Sequence, residues 1–430
     1  MCEKKESLEN KFVSLGCRLN YFESELIKSK VNKLGIDGVI VVNTCTVTKE
    51  AHKQSIQNIK KLKKENPNHK MIVTGCAVQS NKNEFESMKE VDKIIGNSDK
   101  LLDSSFTSSD RIIFNDFTKE NSFLIDKIQS FENRCRAFIQ IQQGCDHRCS
   151  FCIIPAVRGG SKSLAIDDIV SQIKQVVEKG HLEVVLTGVD ISSWNRDVFA
   201  NNDSKLGYLC KVILKEVPKL KRLRLSSMDP AILDNDIFDL LKNEERFMPH
   251  IHLSLQSMND SVLRNMGRRH SKGFATEYIQ KLKEINTNIT IGADIIVGFP
   301  RESDEQFIDT CESIKELAIP LVHVFAYSER DGTKAMEIKP SVPLELRKKR
   351  SEYLRNIVEE HKKNFYNNQI GRNTTILLEK NNMGYTDNYC LSTIVNGESL
   401  THSKIYNVEI IELETDVFSN AKILKAKLKN

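Results

Sequence analysis

The sequence predicts an α/β protein with a small parallel α/β domain, a central partial (β/α) barrel, and a small antiparallel β-barrel at the C-terminus. Three observations predict it. Strand-like and helix-like segments alternate at the start of the chain. Six strand-like runs separated by longer helical segments follow. The final stretch holds short β-patterned runs joined by turns. The predicted boundaries are 1–110, a linker at 111–133, 134–365 and 366–430.

The first domain is predicted from a β-α-β-α-β rhythm, which indicates a parallel sheet with helices on its faces. Each of its first three strands ends in a cysteine: Cys17, Cys45 and Cys76. Because the carboxyl ends of parallel strands meet at one edge of a sheet, these thiols are candidates for a shared site. The alternative at this stage is three ordinary buried cysteines. The segments are KFVSLGC, YFESELIKSKVNKLG, GVIVVNTC, EAHKQSIQNIKKLKKENP, KMIVTGC and EVDKIIGN.

The central barrel is predicted from the strand-like runs AFIQIQQG, LEVVLTG, LRLSS, IHLSLQS, IGADIIVGFP and LVHVFAYS. In parallel β/α folds, chemistry sits at the carboxyl ends of the strands. Cys145, Cys149 and Cys152 directly follow the first of these strands, within QQGCDHRCSFC. Their loop therefore lies where an active site is expected.

The C-x-x-x-C-x-x-C spacing indicates a site for a metal ion or an iron-sulfur cluster. Random placement of 11 cysteines in 430 residues gives fewer than about 0.01 such patterns, so chance does not explain it. A structural zinc ion needs four ligands, and His147 or a distant cysteine would have to complete the set. An iron-sulfur cube held by only three thiolates leaves one iron open to another ligand.

The terminal domain is predicted from NTTILLEK, YCLSTIV, SKIYNVEIIELE and AKILKAKLK, with NNMG and NGES as turns. Before it, LRKKRSEYLRNIVEEHKKNF has apolar residues at helical spacing and a basic side that is expected to be exposed. That side is interpreted as either a solvated helix face or a phosphate-contacting surface.

Composition excludes several classes of protein. With 40% hydrophobic and 28% charged residues the chain is an ordinary globular one. Its apolar runs are far shorter than the roughly 20 residues of a membrane span, so no membrane partner is expected. The charged N-terminus MCEKKESLENK lacks an apolar segment, which predicts a cytoplasmic protein with thiols or metal ligands rather than disulfides. The net charge of +5 is too mild to indicate a polyanionic partner by itself.

The cysteine motif at the end of the first barrel strand resembles the signature of the radical S-adenosylmethionine superfamily. Further motifs resemble one family within it, the methylthiotransferases, over Lys11 to Ala335, and the terminal segment resembles that family's RNA-binding TRAM domain. Those motifs are SLGCRLNYFESE, VVNTCTVTKEAHKQSIQ, IVTGCAVQ, IQQGCDHRCSFCIIPAVRG, LTGVDI, LRLSSMDP, LSLQSMNDSVLRNMGRRH, DIIVGFP and FAYSERDGTKA.

The resemblance implies two [4Fe-4S] clusters. One, on Cys145, Cys149 and Cys152, would reduce S-adenosylmethionine, which serves as both radical source and methyl donor. The other, on Cys17, Cys45 and Cys76, would carry the sulfur to be inserted. His147 becomes a bystander under this interpretation, and an unidentified reductant and an unidentified sulfur donor are implied as partners.

Contacts to S-adenosylmethionine are predicted at strand ends. Gly188 in LTGVD and Gly298 in IVGFP would let the backbone approach a ligand, with a plain turn as the alternative. Ser254, Gln256 and Arg268 would reach the ribose or carboxylate, although Ser254 and Gln256 are equally compatible with interior barrel positions. The family usually continues GFP with glycine and an acid, whereas this chain has GFPRES with an arginine in the glycine place.

The resemblance also implies a substrate. NTCTVTKEAHKQSIQ and GCDHRCSFCIIP resemble the MtaB-type branch, which methylthiolates C2 of N6-threonylcarbamoyladenosine in tRNA, at position 37, 3′ of the anticodon. The expected partner is a tRNA anticodon loop with its base splayed into the barrel of a monomeric enzyme. The alternatives are isopentenyladenosine in tRNA, an aspartate of a ribosomal protein, and a non-catalytic iron-sulfur protein that binds RNA or transfers electrons.

Overall fold

The computed structural model describes residues 8–115, 135–197, 205–232, 234–416 and 421–429. It has the predicted three-part α/β architecture. The predicted linker, 111–133, lies outside the described residues from position 116 onward. Its first residues include the short strand Ile112–Ile113, which pairs with the N-terminal sheet. None of the helices within the described ranges is long and apolar enough to span a membrane.

The N-terminal domain contains a five-stranded parallel sheet in the order β1-β2-β3-β4-β5. Its interior strand β2 is buried at every position, because helices and neighbouring segments cover both faces of a parallel sheet. The register aligns Ser14 with Asn43, and Thr44 with Gly75, so the first three strands end at one edge. The elements are β1 Lys11–Ser14, α1 Arg18–Lys33, β2 Val39–Thr44, α2 Lys49–Glu65, β3 Lys70–Gly75, α3 Cys76–Ser80, α4 Lys82–Glu86, β4 Lys93–Ile95, α5 Asp103–Thr107 and β5 Ile112–Ile113.

The central domain contains the six predicted strands in a partial barrel. They form two parallel three-stranded sheets, joined by single bridges between Leu223 and Phe247 and between Met228 and Leu253. The elements are β6 Arg136–Gln140, β7 Gln142–Gln143, α6 Ile154–Arg158, β8 Lys162–Ser163, α7 Ile166–Glu178, β9 Glu183–Thr187, α8 Leu206–Glu216, β10 Arg222–Leu225, α9 Asn235–Asn243, β11 His250–Gln256, α10 Asp260–Met266, α11 Lys272–Ile285, β12 Thr290–Val297, α12 Asp304–Glu316, β13 Leu321–Ala326 and α13 Leu344–Asn367.

The barrel strands follow the order β6, β9, β10, β11, β12, β13, with the short antiparallel pair β7 and β8 outside this layer. Strands β6 and β13 stand at the two ends of the order, so the barrel stays open between them. A single large hydrophobic cluster joins these strands to the surrounding helices and to Phe22 and Leu26 of α1. The N-terminal domain is therefore packed into the same core as the barrel.

The C-terminal domain is a closed five-stranded barrel in the order β14-β15-β16-β18-β17. Most neighbours are antiparallel, as predicted, but β16 and β18 pair in parallel. The domain docks against the amino ends of the central strands, where Arg222 donates hydrogen bonds to the carbonyl oxygens of Thr375 at 2.8 Å and Tyr385 at 3.1 Å. The strands are β14 Asn373–Leu378, β15 Met383–Thr386, β16 Leu391–Ile394, β17 Ile405–Thr415 and β18 Lys422–Leu428.

Helix α13 has the expected exposed basic side, with Lys348, Lys349, Arg355 and Lys363 exposed, but two of its arginines differ. Arg347 and Arg350 are buried. Arg347 pairs with Glu329 at 2.6 Å and Arg350 pairs with Glu302 at 2.7 Å. A buried guanidinium needs a charged or carbonyl partner, so these arginines fasten the helix to the barrel instead of facing solvent.

Candidate functional site

The first candidate site is the loop between β7 and α6, which carries Cys145, Cys149 and Cys152. All three are free thiols of intermediate exposure. The loop is fixed by backbone hydrogen bonds, because the Cys145 N–H donates to the Gly159 carbonyl at 3.1 Å and the Ser150 N–H donates to the Met266 carbonyl at 2.9 Å. The three thiols are therefore presented by a defined loop at the carboxyl end of the barrel.

Glycine is required where this loop begins. Gly144 has φ of 68°, and a Cβ there would lie 1.9 Å from the Gly160 carbonyl oxygen. Such a contact is impossible for any residue with a side chain. The loop therefore passes over 159–160 only because this position lacks a Cβ.

The electrostatics of the loop fit a cation between the sulfurs. Burial, and then the proximity of other acidic groups, raises the pKa of the Cys145 thiol to about 12 and that of the Cys152 thiol to about 11. A metal centre reverses this penalty, since it binds thiolates directly. Cys149 and Cys152 act electrostatically on Cys145, and three thiols on one loop in this environment fit the ligand set of a three-thiolate iron-sulfur cluster.

Two of the predicted cofactor contacts lie beside Cys149. Arg268 places Nη1 3.5 Å from the Cys149 sulfur, and its Nη2 donates to the Ser254 carbonyl oxygen at 2.8 Å. The Nε of Arg268 is buried without a hydrogen-bond partner. The structure thus brings a guanidinium with unused donor capacity to the cysteine loop, as expected for a contact to an anionic ligand group.

The two predicted glycines have packing neighbours of their own. A Cβ on Gly188 would lie 2.8 Å from the Gln142 carbonyl oxygen, and a Cβ on Gly298 would lie 2.4 Å from Cγ of Arg347. Gly298 also has φ of 72°. Close packing against other atoms of the protein explains why both positions are glycine. A contact between either glycine and the cofactor stays a prediction.

Positive backbone φ angles occur at the end of β11 and in the loop after β12. Gln256 ends β11 with φ of 66°, and Arg301 has φ of 67°. Arg301 stands where the family pattern has glycine, and its backbone keeps the left-handed conformation that glycine favours. Its N–H donates to the Pro340 carbonyl at 3.0 Å, so the loop retains its path despite the different residue.

His147 belongs to a separate polar cluster. Its Nε2 lies 2.7 Å from Asp190 Oδ2, and Ser193 donates to the same oxygen at 2.6 Å. The ligand atoms of Cys145, His147 and Asp190 lie within 4.8 Å of one another. The zinc alternative needs four ligands, the three cysteines of the motif with His147 or a distant cysteine, and this grouping brings only Cys145 and His147 of that set together.

The second candidate site is the edge of the N-terminal sheet. Cys45 and Cys76 are buried and Cys17 is exposed. A Cβ on Gly16, whose φ is 92°, would lie 2.4 Å from the Cys45 sulfur. Burial, together with the charges of Cys76 and Cys17, raises the pKa of Cys45 to about 11. The three thiols therefore share one electrostatic environment.

Buried cations accompany this second set. Arg158 donates to Asn20 Oδ1 at 2.5 Å and to both carboxylate oxygens of Glu23, at 2.8 and 3.0 Å. Lys100 reaches the same carboxylate at 2.5 Å. All three ionisable side chains are at most 2% exposed. Two cations and one carboxylate leave a buried charge of +1, and Arg158 and Lys100 both act electrostatically on Cys76.

Arg330 adds another buried cation near this site. It is 8% exposed, and its Nε and Nη2 have no hydrogen-bond partner. Burial lowers its pKa, and Cys45 is the largest influence that opposes this shift. A buried guanidinium with unpaired donors is costly unless an anion occupies the space beside it.

Helix α6 connects the two cysteine sets. It begins two residues after Cys152 and ends at Arg158. Asn97 donates to the Val157 carbonyl of this helix at 2.7 Å and lies 3.8 Å from the Cys76 sulfur. A pocket of about 450 Å³ runs alongside, lined among others by Gln79, Cys149, Cys152, Val157, Asp331 and Thr333. The pocket is therefore lined by two cysteines of the first set and by Gln79 of α3, the helix that begins at Cys76.

Sequence reasoning did not identify Glu23, Asn97, Lys100, Arg158 or Arg330. The last two lie inside the motifs CIIPAVRG and SERDG, yet nothing local distinguishes them from exposed arginines. Cys135 is ordinary in this structure, since its thiol contacts the Leu378 carbonyl at 3.4 Å and accepts from Ser403 at 3.1 Å in the C-terminal domain.

Comparison with protein families gives two matches. Residues 139–314 match the radical SAM superfamily, and residues 10–96 match the uncharacterized protein family UPF0004. These ranges contain the first and the second cysteine set respectively. Within the radical SAM superfamily a [4Fe-4S] cluster and S-adenosylmethionine are the shared cofactors.

Curated relatives align over nearly the whole chain. The threonylcarbamoyladenosine tRNA methylthiotransferase MtaB of Rickettsia prowazekii is 42% identical, over 95% of this chain and 96% of its own length. The protein of that name from Aquifex aeolicus is 34% identical, over 88% and 94%. The tRNA-2-methylthio-N(6)-dimethylallyladenosine synthase of Staphylococcus aureus is 29% identical, over 86% and 77%.

Among solved structures, the radical S-adenosylmethionine methyltransferase TsrM from Kitasatospora setae, with cobalamin and a [4Fe-4S] cluster bound, is similar with a TM-score of 0.52. It is 12% identical, over 71% of this chain and 69% of that protein. At this identity the likeness supports the fold.

Proposed function

The chain belongs to the family of threonylcarbamoyladenosine tRNA methylthiotransferases within the radical S-adenosylmethionine superfamily, and on that premise we propose its reaction and its site residues. It inserts a methylthio group at C2 of N6-threonylcarbamoyladenosine, at position 37 of tRNA, 3′ of the anticodon. The observation that carries this proposal is a pair of three-cysteine sets connected by α6, with buried cations beside the second set.

We assign Cys145, Cys149 and Cys152 as ligands of a [4Fe-4S] cluster with an iron left for S-adenosylmethionine. When bound, that cluster supplies the electron for reductive cleavage of S-adenosylmethionine to methionine and a 5′-deoxyadenosyl radical, which removes the hydrogen from C2. Gly144 shapes the loop that presents the thiols. Arg268, with its unpaired Nε, binds an anionic group of the cofactor, and Ser254, Gln256, Gly188 and Gly298 complete the predicted contacts.

We assign Cys17, Cys45 and Cys76 as ligands of the second [4Fe-4S] cluster. A cube with a 2+ core and three thiolates carries a net charge of about −1. Arg158 and Lys100 together with Glu23 carry +1, so the buried charges of protein and cluster balance. Arg330 adds a cation, which favours an anionic sulfur ligand on this cluster. These residues hold the charge of the site and exclude water from it.

The domains have separate tasks in this proposal. Residues 1–110 carry the second cluster, 134–365 form the radical core, 111–133 link them, and 366–430 form a TRAM-like RNA-binding barrel. The tRNA is bound largely through phosphates, so its affinity falls with salt. The target base leaves its stack to reach the carboxyl ends of the barrel strands. The enzyme works as a cytoplasmic monomer with an external reductant and an external sulfur donor.

Mass spectrometry of tRNA nucleosides from cells with and without this gene tests the proposal. Loss of the methylthio form of threonylcarbamoyladenosine, restored by the wild-type gene but not by Cys76→Ala, is expected. Loss of the methylthio isopentenyl derivative instead would assign the protein to the activity named in its Staphylococcus aureus relatives. If neither nucleoside changes, the tRNA function is wrong.

Metal analysis of anaerobically purified protein separates iron from zinc. About eight iron atoms per chain are expected for two cubes. Zinc at one atom per chain with little iron would overturn both cluster assignments and favour a zinc site on the three cysteines of the first set with His147 or another cysteine.

A further inference from the structure

A second polar cluster lies on the strands β11, β12 and β13, away from both cysteine sets. It consists of His252, Asp294 and His323, whose ligand atoms all lie within 4.8 Å of one another. Asp294 Oδ1 is the shared partner, 3.0 Å from His252 Nε2 and 3.2 Å from His323 Nδ1. One carboxylate thus orients two imidazoles.

The cluster faces the interior of the partial barrel. On β13, Val322 and Val324 are buried in the core that includes Leu354 of α13. Because side chains alternate along a strand, His323 and Phe325 point to the opposite side. Both are exposed, at 66% for the His323 side chain and 40% for Phe325, since β13 is an end strand of the open barrel.

The depth of the cluster in the barrel follows from the strand positions. Toward the carboxyl end, Ser254 lies two residues beyond His252 on the same face of β11 and accepts a hydrogen bond from Arg268, which contacts Cys149. Two residues of a strand span about 6.6 Å. Toward the amino end, His250 stacks on Tyr389 of the C-terminal domain at 4.5 Å. The cluster therefore lies between the predicted cofactor layer and the floor of the barrel.

Gly292 on the neighbouring strand β12 leaves room for the His252 ring. A Cβ on Gly292 would lie 2.3 Å from His252 Nδ1. His252 is therefore held in place between the backbone at Gly292 and Asp294. The His323 ring is more exposed than the His252 ring. Its Nδ1 contacts Asp294, and its Nε2, on the far side of the ring, faces the open side of the barrel.

The chemistry of this arrangement suits an anionic group. Although burial alone would raise the pKa of Asp294, hydrogen bonds from His252 and His323 hold that pKa well below its ordinary value. An ionised Asp294 accepts a hydrogen bond from Nδ1–H of His323. When Nε2 also carries a proton, the ring presents a second N–H donor at the opening, and a carboxylate of the substrate is an acceptor that fits it.

We propose that His323, oriented by Asp294 beside His252, binds the carboxylate of the threonyl substituent of the target base. This inference rests on the proposed function and specifies the part of the substrate that the barrel recognises. The exposed ring of Phe325 lies next to His323 on the strand, at a centroid distance of 6.4 Å, and provides an apolar face for the base. An isopentenyl substituent has no polar atom and gains nothing from His323, so the cluster selects for the threonylcarbamoyl group.

The test uses full-length protein loaded with both clusters and two anticodon stem–loop RNAs, identical except for threonylcarbamoyladenosine or unmodified adenosine at position 37. The dissociation constant for each RNA and kcat/KM for methylthiolation of the first are measured. His323→Leu is expected to lower the preference for the threonylcarbamoyl RNA by about 10- to 100-fold, the range for a hydrogen bond to a charged group. His323→Gln, which keeps a donor, is expected to retain part of that preference.

His69→Leu is the matched control, since His69 precedes β3 at the end of the N-terminal sheet opposite the cysteines, outside the central barrel and the RNA-binding domain. It should keep the wild-type preference. His323→Leu or His323→Gln protein with wild-type iron content and wild-type preference would overturn the inference. A stoichiometric transition metal other than iron, present in wild-type protein and lost in either variant, would overturn it in favour of a metal site. If wild-type protein methylthiolates an isopentenyladenosine RNA and not the threonylcarbamoyl RNA, the proposed function itself fails.

Discussion

Replacement of Arg158 by methionine tests the charge balance of the second cysteine site. Arg158 is buried and donates three hydrogen bonds, to Asn20 and to both oxygens of Glu23. Methionine fills much of the same space without charge or donors. Removing one partner of a buried ion pair costs about 3–5 kcal/mol, because the remaining groups lose their compensation. Lys100 still holds Glu23 at 2.5 Å, so the lower end of this range is expected.

The effect on the cluster adds to the effect on folding. With Arg158 present the protein contributes +1 beside the three thiols, and without it Glu23 and Lys100 cancel to zero. The cluster, whose charge is about −1, then has no net counter-charge from Glu23 and Lys100. Loss of this counter-charge is therefore expected to weaken retention of the cluster, in addition to the cost of about 3 kcal/mol to the fold.

The assay uses a background in which Cys145, Cys149 and Cys152 are all alanine, so that iron reports the second site alone. After anaerobic reconstitution, iron per chain and the urea midpoint of unfolding are measured for wild-type Arg158, Arg158→Lys and Arg158→Met. Arg158→Lys keeps the charge and should retain more iron than Arg158→Met, while both lose stability. The reasoning is refuted if Arg158→Met keeps about four iron atoms per chain and an unchanged midpoint.

Three further predictions follow from the geometry. Cys149→Ala should abolish reductive formation of 5′-deoxyadenosine, measured by chromatography, while about four iron atoms per chain remain on the second site; unchanged 5′-deoxyadenosine would contradict the ligand assignment. Gly144→Ala should lower iron on the first site, because its Cβ would collide with the Gly160 carbonyl, whereas Gly35→Ala, with nothing within 4 Å of its Cβ, tests the effect of a positive φ alone. Glu183 is buried, which alone would raise its pKa, but Arg224 and Arg222 lower that pKa to about 2. Its depressed pKa means that its stabilisation is complete above pH 4.5 and is lost as the pH falls toward 2. Urea unfolding of the cluster-free protein should therefore show a shallower loss of stability between pH 5 and 3 in Glu183→Gln than in wild type, and parallel curves would exclude the buried ion pair as the cause.

Local patterns in the chain predicted the elements that carry the site. The six barrel strands were predictable because each is a short apolar or alternating run between helical segments. The second cysteine set was predictable because parallel topology brings the carboxyl ends of strands to one edge, and the first because its C-x-x-x-C-x-x-C spacing places three thiols on one loop. The parallel pairing of β16 with β18 was not predictable, since nothing in a short strand specifies the direction of a neighbour distant in the chain.

By itself, the sequence determined which residues are candidate ligands, the order of the three domains and the family to which the chain belongs. Only the tertiary structure decided which charges surround those ligands. Arg158 meets Glu23 across 135 positions, and Lys100 meets Glu23 across 77. His252, Asp294 and His323 converge only because three parallel strands align in register. Periodicity and spacing describe neighbours within a few residues, whereas burial and pairing of charges depend on contacts that exist only after the chain has folded.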